Sequence, residues 1–118
     1  MTMMYYEIRT YRLRNGAVPA YLKVVEAEGI AVQKKHLGEL VGYFFSEIGP
    51  VNEIVHIWAF ASLDERDRRR VALMADPAWQ AFLPKIRDLI DLAENKIMKP
   101  ARFSPLGGDR QGVSRHEA

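Results

Sequence analysis

A chain of 118 residues, 48% hydrophobic and 27% charged, is sized for one globular domain with a real core. The absence of cysteine excludes disulfides, thiolate nucleophiles and thiolate metal sites, and no apolar run approaches the roughly 18 residues of a bilayer span. A net charge of only +2, with no basic stripe carrying an aromatic platform, speaks against nucleic acid as a partner.

Residues Tyr5 to Leu13 alternate as a strand, with Glu7, Arg9 and Tyr11 on one face and Tyr6, Ile8 and Thr10 on the other. A start that enters a strand so soon leaves no room for a signal or transit peptide, so the cytoplasm is the expected compartment. Arg14-Asn15-Gly16 is a turn signal. From Ala17 a helical period places Val18, Leu22, Val25, Gly29, Val32 and His36 on one stripe, with Tyr21 beside it. Pro19 is tolerated in the first turn. Gly29 weakens the helix by about 1 kcal/mol relative to Ala, and close approach to another backbone is the expected compensation. Gly38 is the stop.

Glu39 to Ile48 read as a second strand, and Gly49 to Asn52 as a hairpin loop into a third, Glu53 to Ala61. There Ile54, His56, Trp58 and Phe60 oppose Val55, Ile57 and Ala59. Ser62-Leu63-Asp64-Glu65 is a capping box that opens a helix running to about Ala75. The basic run Arg66 to Arg70, with Asp67 inside it, follows acids in the first turn and suits a solvated helix face better than the alternative, a phosphate-binding patch. Asp76-Pro77 restarts the helix and Pro84 restarts it again, with Ile86, Leu89, Ile90 and Ala93 at helical spacing. A last strand is expected over Ile97 to Phe103, on an edge because Pro100 cannot donate to a ladder. The domain then ends near residue 106, and the polar, glycine-rich stretch 107–118 reads as a flexible tail.

The order β-α-β-β-α-β predicts an α+β, ferredoxin-like sandwich whose four-stranded sheet is antiparallel or mixed. Right-handed connections through the helices predict strands one and three adjacent and parallel in the centre. The smooth rows through Ile8, Val55 and Ile57 are expected under the helices. Glu7, Arg9, Tyr11, His56 and Trp58 would then share the uncovered face. So much apolar surface on an open face calls for a second copy, predicting a homodimer or a higher homo-oligomer.

Glu7-Ile8-Arg9-Thr10-Tyr11, Leu40-Val41-Gly42-Tyr43-Phe44, Glu47-Ile48-Gly49 and Val55-His56-Ile57-Trp58 resemble the NIPSNAP family, as do Arg66, the run Asp76 to Phe82 and Phe103-Ser104-Pro105. The likeness spans Met4 to Leu106. It implies a dimeric α+β barrel, in which two ferredoxin-like sheets face each other with helices outside. It implies no particular activity.

His36, His56 and His116 lie on different elements, so no metal site is expected. Gly107-Gly108 lacks the strand and helix of a phosphate loop, and no cofactor is expected. None of the serines sits on a nucleophile elbow. The expected function is small-molecule binding inside the dimeric barrel by Glu7, Arg9, Tyr11, Tyr43, His56 and Trp58. The alternative is a cofactor-independent enzyme, monooxygenase- or isomerase-like. It would act on a small aromatic or enolic substrate by acid-base chemistry, with Glu7, Arg9 and His56 as the groups that carry it. Trp79 and Phe82 are read as pinning their helix to the sheet.

Overall fold

A computed structural model describes residues 4–107. Its elements run β1 (Tyr5–Leu13), α1 (Val18–Val24), a π turn (Val25–Gly29), α2 (Ile30–Leu37), β2 (Glu39–Phe45), β3 (Glu53–Phe60), α3 (Leu63–Ala75), α4 (Pro77–Arg87) and β4 (Ile90–Met98). The sheet order is β2-β3-β1-β4. β1 and β3 lie side by side in the centre as expected, but they are antiparallel, as is every pairing in the sheet. The β2–β3 hairpin reverses the chain once more, so the strand that returns beside β1 runs against it.

Local chemistry sets most boundaries. Ser62 Oγ accepts from Glu65 N at 3.0 Å, and Glu65 Oε1 accepts from Ala61 N at 2.6 Å. Asp76 Oδ1 accepts from Ala78 N at 2.8 Å and caps α4, with Pro77 as its first residue. Gly38, at φ 89°, ends α2 in a conformation that side chains disfavour. Pro84 sits inside α4 without ending it. The last strand falls earlier than expected: Ile90 and Ala93 belong to β4, which ends at Met98, two residues before Pro100. It is an edge strand. Of the expected tail, all but Gly107 lies outside the described residues.

The faces of the sheet are inverted relative to the expectation. Tyr11, Leu13, Ile54, Trp58 and Phe60 are buried in one core with Tyr21, Leu37, Leu73, Phe82 and Ile86 from the helices. Glu7 and His56, each 1% exposed, lie in the same rows. The mixed rows therefore face the helices, and Ile8, Thr10, Val55 and Ile57 face the open side, where they are half-buried. Charge in the core is tolerated because partners from other elements surround it.

The helical stripe also differs. The buried positions are Ala17, Tyr21, Val25, Gly29, Gln33 and Leu37, one in every four residues. A regular helix would rotate such a row away from the sheet, because its period is 3.6 residues. The π turn at Val25–Gly29 widens one turn and brings the row back. Gly29 does mark a close approach, though to a side chain: a Cβ there would lie 2.5 Å from the Phe82 ring.

Candidate functional site

Alternation along β1 sends Glu7, Arg9 and Tyr11 to the helix side, and pairing sets Glu7 opposite Trp58 and Arg9 opposite both His56 and Asn95. Arg66 reaches Glu7 from the first turn of α3, with Nε to Oε1 at 2.9 Å and Nη2 to Oε2 at 3.0 Å. Arg9 Nη1 and Asn95 Nδ2 each donate to Oε2 at 2.7 Å. Burial alone would raise the pKa of Glu7. The hydrogen bonds from Arg66 and Asn95 and the charges of Arg9 and Arg66 outweigh it and bring the carboxyl down to about 2. Glu7 is thus an ionised group saturated with donors, a poor proton acceptor.

Arg9 also donates from Nε to the Tyr11 hydroxyl at 3.0 Å. Burial opposes its charge, while Tyr11 and Glu7 favour it and raise its pKa. His56 lies deeper. Its Nδ1 accepts from Trp58 Nε1 at 2.8 Å, so the proton of the neutral ring sits on Nε2, which is buried without a hydrogen-bond partner among the described residues. Tyr43 stacks on the ring at 4.5 Å between centroids, and Tyr11 meets it nearly edge-on at 5.1 Å.

Burial, with repulsion from Arg9, lowers the His56 pKa from 6.5 to about 3. In the unfolded chain the imidazole takes up its proton near pH 6.5, while the folded ring stays neutral down to about 3. Folding stability therefore falls with pH across that window, by up to about 1.4 kcal/mol per pH unit. In H56N the His56 part of that slope should be absent, most cleanly between pH 6.5 and 4.5 where Glu7 does not yet titrate, as urea titrations at stepped pH would read.

Above this layer a cavity of about 420 Å³ opens between the sheet and the helices. Arg9, Tyr11 and Tyr43 form its floor. Tyr21, Val25 and Gln33 come from the long helical segment, Arg70 and Met74 from α3, Trp79 and Phe82 from α4, and Arg87 and Asp91 stand at an exposed rim. The Tyr21 and Tyr43 hydroxyls are 2.7 Å apart, and burial pushes both phenols above their usual pKa, so both keep their protons. Arg70 is half-buried and makes no hydrogen bond or ion pair among the described residues. Burial and the neighbouring Arg9 lower its pKa, yet a guanidinium remains charged.

Of the residues expected at the site, Arg9, Tyr11 and Tyr43 line the cavity. Glu7, His56 and Trp58 stand behind its wall: Glu7 holds Arg9, while His56 and Trp58 bond to each other. The cavity lies within one chain, under its helices, and not inside a barrel between two sheets. Sequence reasoning missed Arg70 and Gln33, set Tyr21 aside, and assigned Trp79 and Phe82 only a packing role. One signal pointed to the arginines. Arg66, Arg70 and Leu73 share a face of α3 at spacings of four and three, and Leu73 is fully buried.

Residues 6–105 match the NIPSNAP family. A NIPSNAP family protein of unknown function from Agrobacterium tumefaciens has a solved structure. It is 80% identical, with a TM-score of 0.87 over 89% of this chain and 95% of that one. The protein NipSnap homolog of Dictyostelium discoideum is 34% identical over 83% of this chain but 43% of its own length. The chain spans less than half the length of the curated relatives it matches. A protein from Nitrosomonas europaea, assigned to the antibiotic biosynthesis monooxygenases, superposes with a TM-score of 0.63 over 88% of this chain and 96% of that one. At 10% identity that likeness is one of fold alone. The chain belongs to the NIPSNAP family.

Proposed function

We propose that this protein binds a small organic anion in the cavity between its sheet and its helices. The observation that carries this reading is Arg70, a half-buried guanidinium with no protein partner among the described residues, set beside Arg9 in a cavity walled by aromatic rings. Buried charge needs a counter-charge, and an anionic ligand supplies one. The volume lies in the range of small-molecule sites. Acid-base catalysis has less support. Glu7 and His56 lie behind the wall, and the carboxylate on the lining is Asp91 at the exposed rim. The test is isothermal titration with benzoate and with benzylamine. Benzoate should bind and benzylamine should not, and R70M should weaken benzoate about tenfold, the worth of one charged hydrogen bond. Equal binding of the two probes would refute the reading.

The same proposal includes a homodimer formed through the open face of the sheet. Ile8 and Ile57 pair at its centre, and Phe44, Leu92 and Met98 on that face are about half exposed. An apolar sheet face of this kind is what an interface covers. Sedimentation should give twice the 13.5 kDa chain mass, and I57K should return the monomer. A wild-type monomer at micromolar concentration would rule the dimer out.

A further inference from the structure

We infer that the ligand is an aromatic monocarboxylate, its carboxylate on the fork of Arg70 with Arg9 beside it and its ring among the aromatic walls. This rests on the anion-binding reading above and narrows it in two respects, charge and shape.

The charge follows from the groups at and behind the inner end of the cavity: Arg9 and Arg70 line it, Glu7 and Arg66 stand behind it, and Asp67 pairs with Arg66 at the exposed surface. Arg9, Arg66 and Arg70 are three guanidiniums. Glu7 is bound by the first two, and Asp67 accepts from Arg66 Nη1 at 3.1 Å. Two carboxylates against three guanidiniums leave one positive charge uncompensated. At the exposed rim, Arg87 and Asp91 contribute one charge of each sign. One negative charge balances the cavity, whereas a dianion would leave it in excess. Geometry agrees with a carboxylate. Arg9 is already committed through Nε to Tyr11 and through Nη1 to Glu7, which leaves Nη2. Arg70 keeps its whole planar fork, the shape that takes two carboxylate oxygens side by side. Gln33 is buried and lines the cavity, and its amide makes no hydrogen bond among the described residues.

Shape follows from the walls. Tyr11, Tyr21, Tyr43, Trp79 and Phe82 all line the cavity, and the last two rings lie 5.2 Å apart and tilted by 34°. Rings offer edges and faces to another ring more favourably than to a saturated body of the same size. The Tyr21 and Tyr43 hydroxyls are engaged with each other and that of Tyr11 accepts from Arg9, so the middle of the cavity presents ring surface more than free donors.

Isothermal titration of the full chain with four probes tests the class: naphthoate, naphthamide, naphthyl phosphate and decalin carboxylate. Naphthoate should bind at least about tenfold more tightly than each of the others, the worth of one charge-assisted hydrogen bond. In R70Q naphthoate should fall to the level of naphthamide, while naphthamide itself is unchanged, which shows that the variant keeps its fold. Naphthyl phosphate binding as tightly as naphthoate would overturn the monoanion and leave the anion reading standing. Decalin carboxylate matching naphthoate would overturn the aromatic requirement. Naphthamide matching naphthoate in the wild type would bring down both the class and the anion reading. If naphthoate fails to bind at millimolar concentration the class is wrong, and the benzoate titration alone then decides whether an anion binds at all.

Discussion

E7Q should destabilise the fold by about 3–5 kcal/mol, the usual cost of removing one partner from a buried ion cluster. The carboxylate accepts four hydrogen bonds from Arg9, Arg66 and Asn95, and its side chain is 1% exposed. An amide there offers one oxygen and forces N–H groups against N–H groups, so two guanidiniums lose their counter-charge. The same cluster gives the wild type an acid limit. Glu7 titrates near 4.5 when unfolded and near 2 when folded, so its contribution is complete above pH 4.5. It is lost as the pH falls through about 2, and amounts to roughly 3 kcal/mol. Urea unfolding at pH 7 and at pH 3 checks both statements. Glu7 should make the wild type lose stability between the two, and E7Q should lack that part of the loss. A variant as stable as the wild type at neutral pH would mean that the cluster contributes nothing net.

G29A should also lower stability, by about 1–3 kcal/mol, although alanine is the better helix former. The added methyl would stand 2.5, 2.8 and 2.9 Å from three atoms of the Phe82 ring. Phe82 is itself 2% exposed and wedged among Val25, Trp79 and the rest of the core, so the ring has nowhere to retreat except into the cavity that it lines. F82L removes the far end of that ring and should recover part of the loss in the double variant, a coupling that a thermodynamic cycle measures. Additive effects would place the strain elsewhere. Benzoate affinity should fall in G29A with the displaced ring and return in the double variant.

What could be read from the residues depended on how far away their partners were. The Ser62 to Glu65 box, the Asp76-Pro77 cap and the Gly38 stop are contacts within a few residues, and each formed as read. The strand Tyr5 to Leu13 was legible to the residue because strict alternation leaves little choice. Ile86 is helical as read, but Leu89, Ile90 and Ala93 were misread because a short apolar run at spacing three and four fits a helix as well as the start of a strand. The inversion of the sheet has a different cause. Smooth rows were assigned to the helix side on the assumption that a core excludes charge, and Glu7 breaks that rule only because Arg66 and Asn95, 59 and 88 residues away, close around it. No local pattern announces such a meeting. Arg70 was hidden by the same logic, as one arginine in a run that suits a solvated helix surface.

Chain order adds a constraint on biogenesis. The central strand β1 emerges from the ribosome first, yet one of its two ladders is completed only by β4, from Ile90 to Met98. Until those residues are synthesised, β1 is the edge of a three-stranded sheet with one side unpaired, and it carries a carboxylate that still lacks the Asn95 amide. Long-range pairing of this kind folds slowly and leaves a sticky edge open while it waits. Translation must pass beyond the ninth residue of β4 before that edge can close, so a stalled or truncated product would be the form most exposed to aggregation and to proteolysis.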